Sequence, residues 1–277
     1  MKYQFKVLFS AVTLALAGQV SATQTWNLAG ALSTGVTVNA YANTDGTNNA
    51  TNAANNGALQ TIQNANWVGQ SAGYGGVSNA DGCTTGSYCD LNEGSSPEHA
   101  IDNNQRYDMV LVSFASVVNL QSLTMSWRNN DSDFTVMAYT GSATDLAGVK
   151  ASLVGDKYNA LTGWTVVGSY DGADLGAGVT STASTTYQIT SATKTLSSWW
   201  LIGAYNPLVG GSNTAAGVDS GTVATYDHFK LASVFGCTST ETGCGGGGGG
   251  KVPEPGSLAL MGLGLIGLLR MRKAQQG

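Results

Sequence analysis

Charged residues are scarce in this 277-residue chain, at only 10 % of its composition, whereas ordinary soluble domains hold roughly 25 %. A surface so poor in charge has to stay in solution through uncharged hydroxyl and amide groups. Twelve Lys and Arg face seventeen Asp and Glu, which gives a formal net charge of −5. Because no basic stripe could neutralise a series of phosphates, the composition disfavours a nucleic-acid-binding protein.

Histidine is scarcer still, which restricts the possible catalytic schemes. Only His99 and His228 occur, and neither lies in a His-Glu-x-x-His pattern. Glu93, Glu98 and Glu241 fall in loop-like segments, and no carboxylate pair stands out for glycoside hydrolysis. We therefore expect a non-catalytic protein, with a secreted hydrolase as the least favoured alternative.

The hydrophobic content of 42 %, with six Trp and eleven Tyr, is too high for a disordered chain. Segments rich in β-branched and aromatic residues, separated by turn formers, predict strands at 36–41, 107–114, 123–127, 134–139, 164–170, 199–205 and 226–231. No long amphipathic helix and no fixed-period repeat accompanies them. The pattern predicts an all-β fold, an antiparallel β-sandwich of jelly-roll type, over residues 23–236.

The amino-terminal segment, residues 1–22, has the three regions of a secretory signal. Lys2 and Lys6 precede an apolar run at 7–17, and Val20-Ser21-Ala22 ends in a small residue that signal peptidase accepts. We expect the mature chain to begin near Thr23.

The carboxyl-terminal segment, residues 252–277, shows a second tripartite pattern. Pro253 and Pro255 hold the backbone extended around Glu254, so a helix can begin only beyond them. An α-helix over the thirteen residues of 257–269 would span roughly 20 Å, less than a hydrocarbon core of about 30 Å. This predicts a short transmembrane helix with its basic end in the cytoplasm. The predicted anchor residues are Leu258, Leu260, Leu263, Leu265, Ile266, Leu268, Leu269, Arg270, Arg272 and Lys273.

This tail resembles the PEP-CTERM sorting signal of Gram-negative bacteria. The resemblance implies that exosortase, a membrane-embedded transpeptidase, recognises Pro253, Glu254 and Pro255, removes the tail and passes the protein to the cell surface or extracellular matrix. A plain membrane anchor would explain the helix and the basic residues but not the triplet. The linker before the tail, residues 237–251, contains six consecutive glycines at 245–250 and is expected to be a flexible spacer.

The rest of the chain also resembles exosortase-dependent surface proteins that carry such a tail. The similar segments are 99–104, 107–114, 126–133, 200–206 and 226–231. This family implies a surface location and transient membrane anchoring, and it does not imply a defined biochemical activity.

Four cysteines fall into two close pairs, Cys83 with Cys89 and Cys237 with Cys244. Export makes disulfides available, and short loops have the lowest closure entropy, so we predict two local disulfides. Each would rigidify its own loop and add little to global stability. A zinc site is the rival interpretation, although neither pair has a two-residue spacing or an adjacent His.

Two oxygen-rich turns are candidate cation sites. Asp131 and Asp133 lie in one, and Asp102 begins the other. Hard cations such as Ca²⁺ take oxygen ligands of this kind, but the spacing is not that of an EF-hand, and turn geometry alone accounts for the same residue types. A structural calcium ion and a plain turn role both remain open, and no other cofactor is expected.

Two features favour an alternative function, a carbohydrate-binding module that engages exopolysaccharide. Trp199 and Trp200 are adjacent and point to opposite faces of a strand, so one is expected in the core while the other covers the outer sheet face or stacks on a sugar ring. The Asn-rich stretch at 44–56 is expected to be a long surface loop, and its amides could instead pair with sugar hydroxyls.

The predicted mature domain is more acidic than the whole chain. Residues 23–250 contain six of the twelve basic residues and sixteen of the seventeen acidic ones, a formal charge near −10. Such a surface is compatible with cations.

Overall fold

Strands dominate the part of the chain that the computed structural model describes, which is residues 23–43, 60–69, 73–78, 99–104, 106–191, 194–211, 214–218 and 226–238. These residues belong to one unit, residues 21–247, and the other unit, residues 1–20 with 248–277, lies outside them. The predicted signal peptide, the surface loop at 44–56, the membrane helix and the sorting triplet also lie outside the described residues.

The described residues form twelve strands, one short helix and two 3-10 turns. The strands are β1 (Thr23–Asn27), β2 (Val36–Ala42), β3 (Gln63–Gly69), β4 (Gly75–Ser78), β5 (Ile101–Asp102), β6 (Asp108–Asn130), β7 (Phe134–Tyr139), β8 (Trp164–Tyr170), β9 (Gly176–Ser181), β10 (Thr185–Gln188), β11 (Ser197–Ala204) and β12 (Asp227–Thr238). Helix α1 spans Leu146–Ala151, and the 3-10 turns span Tyr158–Ala160 and Pro207–Val209. The predicted all-β class is confirmed.

Strand β6 links the two parts of the sheet. Its first half pairs with β2 and β11, and its second half pairs with β12, β10 and β9. Between the halves, residues 115–117 are all exposed, where the strand passes from one set of neighbours to the other. The strand order is β1-β12-β4-β3-β2-β6-β11-β7-β8, and the β12–β6 pairing closes a ring. All these strands belong to one hydrogen-bonded network. The arrangement of two facing sheets in a jelly roll stays a prediction.

Two hydrophobic clusters lie on opposite faces of β7 and its neighbours. Alternate residues of β7 point to each face: Phe134, Val136 and Ala138 belong to the first cluster, and Met137 and Tyr139 to the second. The first cluster is shared with β12, and the second is covered by α1 and the turn at Tyr158–Ala160. Because both faces are covered, every residue of β7 is buried.

The two ends of the described domain pair with each other. β1 is antiparallel to β12, with Thr23 opposite Cys237 and Asn27 opposite Ser233. Thr23 is the predicted first residue of the mature chain. The chain therefore enters and leaves this domain on neighbouring strands.

Membrane spanning is not seen in the part of the chain described here. Among those residues, no helix has the length and apolar character that crossing a bilayer requires.

Candidate functional site

Three aspartates come together in the interior, at the ends of several strands. Asp131 and Asp133 lie between β6 and β7, and Asp227 begins β12. Their carboxylate oxygens lie within 4.8 Å of one another. All three side chains are buried, and Asp133 and Asp227 are each only 1 % exposed.

A set of neutral N–H donors holds these carboxylates. Asp227 accepts a hydrogen bond from the backbone N–H of Asp133 at 2.6 Å and another from the Asn103 amide at 2.5 Å. Asn103 reciprocates through its oxygen, which accepts the Asp227 N–H at 3.0 Å. Asp133 accepts from the Gly172 N–H at 2.8 Å, and Asp131 accepts from the Ser132 N–H at 2.7 Å.

The electrostatics of this carboxylate cluster are unfavourable to a third negative charge. Burial raises the pKa of Asp227 well above its ordinary value, and the charges of Asp133 and Asp131 raise it further. The hydrogen bonds from Asp133 and Asn103 act in the opposite direction. A cation placed among the three carboxylates would relieve the repulsion, since hard divalent ions bind carboxylate oxygens.

The sequence placed a different residue in the cation site. Asp131 and Asp133 were expected in one candidate turn and Asp102 in another, and the structure brings Asp131 and Asp133 together with Asp227. Asp102 lies on β5 opposite His228, and its side chain accepts the backbone N–H of Asn104 at 2.9 Å. This local hydrogen bond agrees with the turn role that the sequence offers for Asp102.

His228 is buried beside this cluster with its ring held by the backbone. Its Nδ1 lies 2.9 Å from the carbonyl oxygen of Tyr226, whereas its buried Nε2 has no hydrogen-bond partner. Burial lowers the pKa of His228 to about 4, and the bond to Tyr226 opposes that shift. A carbonyl can only accept, so Nδ1 carries a proton, and the lowered pKa keeps the ring neutral near pH 7.

The tryptophans do not provide an exposed stacking surface. Trp200 is fully buried in the first hydrophobic cluster, and its indole N–H donates to the carbonyl of Ser197 at 3.0 Å. Trp200 is therefore the member of the pair that lies in the core, and sugar stacking by Trp199 stays a prediction. Trp199 is half-buried and meets Tyr139 edge to face at 5.9 Å. All six tryptophans lie within the described ranges, and none of them is exposed.

A pocket of about 310 Å³ opens beside β6. Its lining comes from β6, from the segment that follows β10, and from the segment that precedes β11. Polar side chains line much of the wall, with the first hydrophobic cluster at the base. The sequence did not indicate this pocket, because its walls come from segments far apart in the chain.

Cys237 lies near the pocket, at the end of β12. It is disulfide-bonded, and its sulfur accepts a hydrogen bond from the Gln121 amide at 3.4 Å. Cys83, Cys89 and Cys244 lie outside the described residues, so the predicted pairing of Cys237 with Cys244 stays a prediction.

Comparison with known proteins identifies the tail. Residues 251–273 match the PEP-CTERM protein-sorting motif, which confirms the resemblance drawn from Pro253, Glu254 and Pro255. No curated protein matches the chain. The motif indicates an exported protein that exosortase targets, with passage through the membrane on the way to the surface.

Proposed function

We propose that this protein is a non-catalytic β-domain that exosortase delivers to the cell surface or extracellular matrix, where its role is structural or adhesive. The observation that supports delivery is the sorting motif at 251–273. It follows an all-β domain through the glycine run at 245–250. A chain of glycines is flexible, so it would let the processing enzyme reach the triplet while the domain stays folded.

The burial of the four acid–base groups at the carboxylate cluster supports a non-catalytic role. A general base must come within hydrogen-bond reach of a substrate proton. Asp131, Asp133, Asp227 and His228 are all between 1 % and 6 % exposed. Groups so enclosed act on the fold and not on a substrate in solution.

The sorting step is tested by Glu254→Ala in the full chain carrying an epitope tag within the exported domain. We expect the variant to remain full length and membrane-bound, because the triplet has lost the carboxylate between its prolines. Cell fractionation with immunoblotting separates this precursor from the shorter, released wild type.

Glu241→Ala is the matched control, since it removes a carboxylate from the linker outside the motif, and it should be processed normally. Deleting residues 251–277 should prevent membrane retention altogether. Normal shortening and release of the Glu254→Ala protein would refute recognition through the triplet.

Polysaccharide binding is the second candidate function. The pocket beside β6 favours it, because hydroxyl and amide side chains line its wall above an apolar base, the usual composition of a small-ligand site. The tryptophans do not favour it, since Trp200 is buried and Trp199 packs against Tyr139.

A further inference from the structure

A buried amide gives the β6 pocket an unmet capacity for hydrogen bonding. Asn119 lines the pocket and is only 6 % exposed, and its side chain makes no hydrogen bond to any residue that the structure describes. Its amide atoms are not fully enclosed, so they are open to a ligand in the pocket. A hydroxyl group both donates and accepts, so a ligand rich in hydroxyls would satisfy both ends of this amide.

The other polar groups at the wall have the same character. Gln121, Gln188 and Thr190 contribute amide and hydroxyl groups to the lining. Gln121 is oriented by its bond to the sulfur of Cys237. Hydrogen-bonding groups converge here from β6 and from the end of β10, as required to recognise a ligand with several hydroxyls.

The size and base of the pocket fit a single sugar ring. Its volume of about 310 Å³ lies at the lower end of the range of about 300–1,000 Å³ typical of small-ligand sites. Leu120, Val167 and Ile189 lie at the apolar base of the pocket, against which the C–H face of a sugar can lie.

The positive charge of Lys194 at the pocket favours acidic sugars over neutral ones. Lys194 lines the pocket and is exposed, and the described lining holds no carboxylate side chain. Elsewhere the domain is strongly acidic, with sixteen acids and six bases over residues 23–250. An ammonium group at the mouth of a hydroxyl-binding pocket favours a ligand that bears a carboxylate.

We propose that this pocket binds one carboxylated sugar unit, a uronate, of an anionic polysaccharide. The carboxylate pairs with Lys194, the ring hydroxyls bond to Asn119 and its polar neighbours, and the ring lies on the apolar base. This inference deepens the second candidate function and rests on it, but it does not depend on sorting by exosortase.

The test is affinity electrophoresis of the full chain in neutral detergent, through gels that contain either polygalacturonate or the neutral polymer dextran. We expect saturable retardation that is stronger in polygalacturonate. Lys194→Gln should weaken it about fivefold, the scale of one solvent-accessible ion pair. Lys194→Arg should retain it, because the positive charge remains.

Lys150→Gln is the matched control, because it removes the same charge from α1, outside the pocket lining, and it should bind like the wild type. Equal weakening by Lys150→Gln and Lys194→Gln would show nonspecific charge attraction and overturn the proposal. Equal retardation in both gels would overturn the uronate preference and leave neutral polysaccharide binding standing. No retardation in either gel would overturn both, while the sorting result would be unaffected.

Discussion

At the residue scale, Asp131, Asp133 and Asp227 repel one another, and this repulsion lowers the stability of the folded state. Two unit charges 4.8 Å apart repel by about 3 kcal/mol at an effective dielectric constant of about 20. Asp227 responds with a raised pKa. In the absence of a cation, its contribution to stability is present at low pH and is lost as the pH rises through its folded-state pKa.

Calcium should therefore stabilise the folded protein. With free Ca²⁺ at about 100 times its dissociation constant, the free energy of unfolding should rise by about 2.7 kcal/mol, since the cation offsets the repulsion. Thermal unfolding of the full chain in calcium and in chelator measures the difference. Asp131→Asn should abolish it, because one charged ligand is lost.

Asp156→Asn is the control for this calcium effect. Asp156 is exposed and outside the cluster, so its variant should keep the wild-type response to calcium. A wild-type melting temperature that is the same in calcium and in chelator would remove the cation site.

His228 should make the fold sensitive to mild acid. Its folded-state pKa is about 4, whereas an unfolded histidine has a pKa of about 6.5, so the unfolded state takes up a proton first. The stability contributed by neutral His228 is thus complete above about pH 6.5 and falls by about 3 kcal/mol as the pH drops to about 4. Urea unfolding between these values, in chelator, measures this loss.

His228→Gln provides the comparison for the acid effect. Asp227 titrates in both proteins with the opposite sign, so the difference between the two stability curves isolates His228. The variant should lose less stability than the wild type over this pH range. Parallel curves for the two proteins would contradict a neutral, buried His228.

At the level of secondary structure elements, Arg128 fixes the β9–β10 segment to β6. Its guanidinium donates to the hydroxyl of Tyr187 at 2.7 Å and to the carbonyl of Ala183 at 2.8 Å. β9 is almost entirely exposed, whereas β10 alternates exposed and half-buried residues and packs through Tyr187, so packing holds β9 weakly. Arg128→Met should speed amide hydrogen exchange across residues 176–188 by about tenfold, because charged hydrogen bonds of this kind contribute about 1.5–3 kcal/mol.

Lys150→Met serves as the control for hydrogen exchange, since it replaces a basic residue with the same side chain on α1. It should leave exchange at residues 176–188 unchanged. Unaltered exchange there in the Arg128→Met protein would mean that backbone pairing with β6 suffices to hold these strands.

Strands were predictable where their composition was distinctive. Phe134–Tyr139 and Trp164–Tyr170 were predicted with the observed bounds, because alternating aromatic and β-branched residues mark both. β1, β3, β9 and β10 were missed because small polar residues dominate them and their register comes from pairing. β6 was predicted as two strands because the exposed residues 115–117 interrupt its pattern.

At the level of the whole molecule, the sorting signal could be predicted from the sequence, whereas the carboxylate cluster and the pocket could not. The sorting signal is a linear pattern of 23 residues that can be read without a fold. Asp227 joins Asp133 across 94 residues. Asp227 and Asp133 are not the only distant pair, since Asn119 on β6 and Lys194 in the segment before β11 line one pocket. Proximity of this kind depends on the strand order, which short-range patterns do not specify.

The pairing of β12 with both β1 and β6 has a mechanical consequence. In the sequence, the glycine run at 245–250 follows β12 after six residues, so a pull applied through a carboxyl-terminal tether would enter the domain along that strand. Residues 233–237 are hydrogen-bonded on one side to β1 and on the other to β6. A force along the strand would shear both ladders at once instead of opening them bond by bond. The domain would therefore be tethered through a strand whose geometry resists tension, as flowing water or a moving matrix would apply it.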